Sequence, residues 1–178
     1  MPTPRGTLRL IAVLGACVAY LFFTRGGVRV APLPPPDDIP PLLSRAPGDI
    51  ARIEVGGPGR SLAVVRTAGG WTDPNAVPWP SEAPGTLLEA LRSLRPLFVV
   101  DPQPQRPEDF GLGPQADRLR LLTPDGSAVL DLEIGARNPS WTGVYVRAAG
   151  RSEVLLVGSV LRWELAKLGE TAPVPMTR

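Results

Sequence analysis

The sequence predicts an α+β fold: an antiparallel, hairpin-rich sheet packed with two amphipathic helices and preceded by one N-terminal transmembrane helix. Three observations predict it. Short apolar–polar alternations, separated by glycine- and proline-bearing turns, recur from Ile50 onward, which is the pattern of half-buried antiparallel strands. Two leucine stripes at helical spacing, Leu87 to Leu94 and Leu161 to Leu168, interrupt those strands. An uncharged, almost wholly apolar run occupies residues 10–23. No βαβ alternation is visible, so hairpins rather than parallel crossovers are expected to build the sheet.

The N-terminal run comes first. From Leu10 to Phe23 it makes a helix of about 21 Å, against roughly 30 Å of bilayer hydrocarbon. Leu8 and Thr24 extend it if Arg9 snorkels outward. Arg5 and Arg9 precede the run and Arg25 and Arg29 follow it, so the positive-inside rule orients it only weakly. The leading reading is an uncleaved membrane anchor with Leu10, Cys17 and Phe23 at its start, middle and end. A second reading is a lipoprotein signal, because Leu14-Gly15-Ala16-Cys17 has the form of a lipobox; against it, the apolar run continues for six residues past Cys17. A third is a cleaved secretory signal, opposed by Leu21-Phe22-Phe23 where small residues are required. Each reading carries the bulk of the chain out of the cytoplasm. The expected location is a bacterial inner membrane, with the domain on the periplasmic side and the lipid bilayer as one partner.

These signals divide the 178 residues into an anchor with basic flanks at 1–30, a proline-rich linker at 31–47, an extracytoplasmic α+β domain at 48–170 and a tail at 171–178. The linker holds Pro32, Pro34, Pro35, Pro36, Pro40, Pro41 and Pro47, a density that favours extended polyproline II and reads as a spacer. In the domain, Ile53 and Val55 alternate with Arg52 and Glu54, Gly56-Gly57-Pro58-Gly59 turns the chain, and Ser61 to Thr67 returns. Ala68-Gly69-Gly70 turns again towards Trp71, and a proline-rich loop with Trp79 leads into the first leucine helix. Pro96 stops that helix, and Leu97-Phe98-Val99-Val100 is a strand. Leu119 and Leu121 then face Leu130, Leu132 and Ile134 across Pro124-Asp125-Gly126. Val144 to Arg147 and Val154 to Val157 make a further pair, and the second helix spans about Ser159 to Leu168.

The first of those late hairpins allows a register to be assigned. Opposing the apolar sets pairs Leu121 with Leu130 and Leu119 with Leu132, and places Arg120 across from Asp131 and Arg118 across from Glu133. That register implies a two-residue type I′ turn at Asp125-Gly126. Pro124 favours the competing type I turn with a glycine bulge, which sets Leu121 against Val129.

Composition narrows the chemistry. The net charge of +2 comes from the arginines beside the apolar run; from Ala31 onward there are 15 basic and 17 acidic side chains. With no basic excess in the domain, nucleic acid is not an expected partner. The chain has no histidine, and Cys17 is its one cysteine. A Cys/His zinc site, a Ser-His-Asp triad and a Cys-His pair are therefore all excluded. Carboxylate pairs remain, at Asp37-Asp38, Glu108-Asp109 and Asp131 with Glu133. Facing arginines explain the last as surface ion pairs, and Glu108-Asp109 reads as a turn cap before Phe110. No catalytic residue, cofactor or metal ligand is assigned.

Trp71 and Trp163, beside apolar runs, are expected in or at the core. Trp79, between two prolines, and Trp141, in the Gly135–Gly143 loop, are expected to be exposed. With Asn138 of the same loop, Trp79 and Trp141 are the candidate partner contacts.

The layout resembles a bacterial family known only as domain of unknown function 4340. The likeness rests on the strand pair ending at Gly70-Trp71, on Pro107-Glu108-Asp109-Phe110-Gly111-Leu112-Gly113-Pro114, and on Leu132-Glu133-Ile134-Gly135 followed by Val144-Tyr145-Val146-Arg147 and Val154-Leu155-Leu156-Val157. It covers roughly residues 48–170. The resemblance implies a membrane-anchored protein encoded beside ABC-type transporters, and an accessory role without catalytic residues. The expected function is a non-enzymatic accessory subunit or assembly factor of a larger membrane protein complex. The alternatives are a free-standing periplasmic binding module for polysaccharide or peptide, or a lipoprotein version of either.

Overall fold

The computed structural model describes residues 13–16, 20, 39–80 and 82–173. The chain divides into two units, Met1–Leu33 and Pro34–Arg178. In the first unit Val13, Leu14 and Tyr20 are exposed and helical. No helix among the described residues is long and apolar enough to cross a membrane, so the expected transmembrane helix is withdrawn. The anchor positions Leu10, Cys17 and Phe23 lie outside the described residues. The physical weakness of that expectation is length: about 21 Å of uncharged helix does not fill about 30 Å of hydrocarbon.

The second unit also corrects the expected fold class, because one continuous eight-stranded antiparallel sheet dominates it. The strands are β1 (Arg52–Gly57), β2 (Arg60–Thr67), β3 (Gly70–Thr72), β4 (Phe98–Asp101), β5 (Asp117–Leu122), β6 (Ala128–Arg137), β7 (Gly143–Ala148) and β8 (Val154–Gly158). Two helices of 11 residues each accompany them, α1 (Ala83–Ser93) and α2 (Val160–Glu170). The order across the sheet is β3-β2-β1-β5-β6-β7-β8-β4. Tight turns join β1 to β2 and β5 to β6 to β7 to β8, but β1–β5 and β8–β4 pair strands far apart in sequence. Those two pairings merge the local hairpins into a single sheet, and no turn signal encodes them.

One face of the sheet holds the main core. Ile53, Val64, Leu119, Leu121, Leu132, Ile134, Val146 and Leu155 pack there against Leu87, Leu88 and Leu91 of α1 and Leu161 and Leu168 of α2. Period-two alternation in the strands and 3.6-residue spacing in the helices both direct these side chains inward. Pro84 sits in the first turn of α1, where its missing N–H costs nothing. The folded unit reaches back into the stretch read as a linker. Leu43 is 1% exposed. The Leu42 and Leu43 amides donate to the Leu94 and Leu91 carbonyls at 3.0 and 3.2 Å, and Arg66 Nη2 donates to the Pro47 carbonyl at 2.8 Å.

The opposite face divides in two. Over β1, β5, β6 and β7 it carries an ion-pair ladder: Arg52–Glu54 at 2.8 Å, Arg120–Glu54 at 3.3 Å, Arg118–Asp131 at 2.6 Å and Arg147–Glu133 at 2.7 Å. The hydrogen bond from Arg118 to Asp131, ahead of the Asp131 charge itself, raises the Arg118 pKa above its ordinary value. Over β7, β8 and β4 the same face is apolar, and the Pro107–Phe110 3-10 turn and Leu112 lie against it at β6 and β7. Phe110 meets the Tyr145 ring edge-on at 5.1 Å, while Leu112, Val154 and Leu156 are buried. A Cβ on Gly135 would lie 2.2 Å from the Phe110 carbonyl oxygen. Bare backbone on β6 is therefore what lets this covering segment sit down.

The expected register holds: Leu121 pairs with Leu130, Leu119 with Leu132, Arg120 with Asp131 and Arg118 with Glu133. The expected turn does not. Gly126 is left-handed at φ 83, Asp125 is not, and the Gly126 amide donates to the Thr123 carbonyl at 2.9 Å. This is a type I turn with a glycine bulge. A second irregularity, between Leu121 and Leu122, then shifts the pairing by one and restores the face alignment. Turn chemistry and burial each prevail locally, and the second bulge reconciles them.

Candidate functional site

The loop between β6 and β7, residues 138–142, is built around Asn138. Its amide donates to the Gly143 carbonyl at 3.0 Å, and its carbonyl accepts the Trp141 amide at 2.9 Å. Its side-chain oxygen accepts the Gly143 amide at 2.9 Å. Its Nδ2 donates to Ser140 Oγ at 2.8 Å and to Thr142 Oγ1 at 3.1 Å, and those hydroxyls lie 3.0 Å apart. Asn138 thus uses both side-chain donors and its acceptor to clamp five residues.

The clamp holds Trp141 in the left-handed region, at φ 63, which a bulky side chain rarely adopts. Its indole is 69% exposed, and the Arg137 guanidinium lies 5.1 Å from the ring centroid. The cost of such a backbone is on the order of 1–3 kcal/mol and persists only when the surroundings over-determine it. Here it presents an aromatic surface to solvent.

A second exposed aromatic lies on α2, at the same end of the sheet. The Ser159 amide donates to the Thr142 carbonyl at 3.1 Å, which ties the loop to the start of α2. Val160, the first residue of α2, is 49% exposed, and Trp163, a turn further on, is 62% exposed, with Lys167 Nζ 5.1 Å from its ring centroid. The inner side of α2 carries Leu161, Glu164 and Leu168, all buried. Arg162 turns back to the Gly135 carbonyl at 3.4 Å and to Asp117 at 3.8 Å.

Pairing places these features at one end of the sheet. Gly143 at the start of β7 faces Gly158 at the end of β8, and Phe98 at the start of β4 faces Leu156. Leu97, just before β4, therefore joins Trp141, Val160 and Trp163 at this end, and it is 46% exposed. The fifth exposed large apolar side chain described in this unit, Val77, lies in the loop before α1. The turns at the other end, around Asp125 and Gly150, are polar or small.

Two expectations about tryptophan are corrected. Trp79 is 8% exposed and belongs to the core; its amide donates to the Trp71 carbonyl at 2.7 Å and its Nε1 to Thr171 Oγ1 at 3.3 Å. Pro78 forms an isolated bridge with Thr72, and this short extension turns the indole inward. Trp163, expected near the core, is exposed. The stripe of Leu161, Leu165 and Leu168 already implied it, because residue 163 lies about 200° round the helix from Leu161. Trp71 is half-buried against Arg66, whose guanidinium is 4.4 Å from the ring centroid. Of the candidate contacts, then, Trp141 and Asn138 come together and Trp79 stands apart.

The carboxylates occupy structural positions. Asp109 pairs with Arg106 at 3.0 Å, Asp131 and Glu133 belong to the ladder, and Asp37-Asp38 lies outside the described residues. Among the described residues no group of three or more His, Cys, Asp or Glu is placed to hold a metal ion.

Residues 71–168, more than half of the chain, match the model of the family described as Domain of unknown function (DUF4340). Comparison with curated proteins and with solved structures finds no match. The matched residues take in every element from Trp71 to Leu168, including the covering segment at Phe110-Gly111-Leu112 and the Asn138–Trp141 loop, and the chain belongs to this family.

Proposed function

We propose that this member of the DUF4340 family is a non-enzymatic accessory subunit or assembly factor that docks on a larger membrane protein complex. The observation that carries this reading is the Trp141 loop: a strained, clamped and exposed aromatic with a second exposed tryptophan at the same end of the sheet. Tryptophan and arginine are the side chains that most often anchor interfaces, and strain held in place by a hydrogen-bonded cage suits a recognition element. A transporter of the ABC type, on the extracytoplasmic side of a bacterial inner membrane, is the complex implied by the family resemblance in the sequence.

Co-purification of the full chain from mild detergent tests the proposal. A stoichiometric partner is expected, with Trp141→Ala and Trp163→Ala each weakening its recovery at least roughly tenfold. Both variants should stay within roughly 1 kcal/mol of the parent chain in stability, a shift of a few degrees in melting temperature. Recovery of a lone monomer that binds polysaccharide or peptide would instead support a free-standing binding module and overturn the subunit reading.

A further inference from the structure

We propose that the end of the sheet bearing Trp141, Val160, Trp163 and Leu97 rests directly on an anionic lipid surface. The inference rests on the reading that this end docks on a membrane complex, and it adds that the same rim also meets the lipid beside that complex.

The argument begins with placement. The four exposed side chains come from three separate places, the β6–β7 connection, the first turn of α2 and the α1–β4 connection. The antiparallel register brings those places to one rim, where they form a set of separate apolar tips. A groove for a partner helix would instead need a continuous apolar stripe between raised walls. Isolated tryptophans flanked by cations suit the headgroup layer, where an amphipathic ring has one side apolar and the other wet.

Charge complementarity then selects the kind of surface. Arg137 lies over Trp141 and Lys167 over Trp163, each at 5.1 Å, and Arg95 stands two residues before Leu97. Each of the two tryptophan tips therefore has a cation close by, while the Arg95 guanidinium is turned to the Ile39 carbonyl at 3.3 Å. Asp117 is engaged with Arg162 at 3.8 Å and Glu89 with Arg92 at 3.9 Å, and Glu164, next to Trp163 in sequence, points into the domain and is buried. Indole insertion beside arginine and lysine favours phosphate-bearing, net-negative headgroups over zwitterionic ones.

The test uses the full chain with vesicles carrying brominated acyl chains, and it reads quenching of tryptophan emission. One set is an equal mixture of phosphatidylglycerol and phosphatidylcholine; the other is phosphatidylcholine alone. Residues 1–33 are the same in every variant, so their contribution to vesicle binding is constant. The proposal expects quenching in the anionic set well above that in the neutral set. The excess should fall with added salt and disappear in Trp141→Phe/Trp163→Phe and in Arg137→Glu/Lys167→Glu. Equal quenching in the two sets would overturn it. So would an excess that survives Trp141→Phe/Trp163→Phe, since Trp71 and Trp79 would then be its source. No quenching, together with loss of co-purification in Trp141→Ala, would mean a protein partner only; that result ends the lipid proposal and leaves the subunit reading standing.

Discussion

Two turns at opposite ends of β6 solve the same backbone problem with different residues. In the β5–β6 turn, Thr123, Asp125 and Ser127 hydrogen-bond to one another, and the left-handed position is Gly126, at φ 83. In the β6–β7 loop, Asn138, Ser140 and Thr142 do the same at the same spacing, but the left-handed position is Trp141, at φ 63. Glycine adopts that conformation freely, whereas an L side chain is strained by roughly 1–2 kcal/mol. The first turn is therefore the economical way to reverse a strand. The second holds a tryptophan where glycine would serve the fold better, and on the proposed reading that tryptophan is kept for recognition.

The largest expected effect concerns the glycines that bracket the tryptophan loop. A Cβ on Gly143 would lie 2.5 Å from the Val157 carbonyl oxygen, and one on Gly135 would lie 2.2 Å from that of Phe110. Both obstacles are backbone, so Gly135→Ala and Gly143→Ala should each destabilise the domain by about 3 kcal/mol in urea titration. Gly126→Ala meets nothing within 4 Å and should cost only the left-handed strain, about 1 kcal/mol. If all three cost the same, the two turns do not differ in the way described.

Next in size is the clamp. Asn138→Ala leaves the Gly143 amide without its side-chain acceptor and frees the Ser140 and Thr142 hydroxyls, at a cost of about 2 kcal/mol. Amide hydrogen exchange should show Gly143 and Trp141 losing protection while Ser127 keeps its own. Unchanged exchange at Trp141 would mean that Asn138 does not hold the loop.

These expectations also show what was legible in the sequence. The β5–β6 register could be read because a one-residue slip would turn Leu119 and Leu121 out of the core. Its turn type could not, because Pro124-Asp125-Gly126 suits two turns and a second bulge, in the strands beside the turn, decided how the chain recovered its alignment. Asn138 and Trp141 were legible as a loop, but not as a clamp, since hydrogen bonding among Asn, Ser and Thr at alternate positions depends on loop shape. Flanking prolines usually mark exposed chain, whereas the Trp79 indole packs in the core and donates to Thr171, 92 residues away. Leu43 was hidden among prolines for the same reason: its place under α1 is a tertiary contact. The membrane-spanning reading rested on composition over a run too short to fill the hydrocarbon.

The smallest expected effect is a difference in acid response. Hydrogen bonds from the Thr123 hydroxyl, then from the Ser127 amide and hydroxyl, hold the Asp125 carboxyl below its ordinary value of 3.8. A carboxylate depressed in the folded state stabilises the turn above the unfolded value, and that contribution is lost as pH falls through the folded one. The Asn138 loop has no titrating group in its network. Below about pH 4, Ser127 amide protection should therefore decline while that of Gly143 does not. Parallel decline of both would mean that acid acts on the whole domain and not on this turn.

The most direct test of the central claim is to exchange Trp141 for glycine and for alanine and to measure stability and partner recovery on the same samples. Trp141→Ala keeps the strained backbone, while Trp141→Gly relieves it, so the glycine variant should be the more stable of the two by about 1 kcal/mol. It should stay within about 1 kcal/mol of the parent chain, the lost Arg137 contact and the entropy of glycine offsetting the relief. Both variants should lose the partner. If Trp141→Gly instead unfolds the domain, or folds and still recovers the partner in full, then Trp141 is not a residue held in strain for recognition.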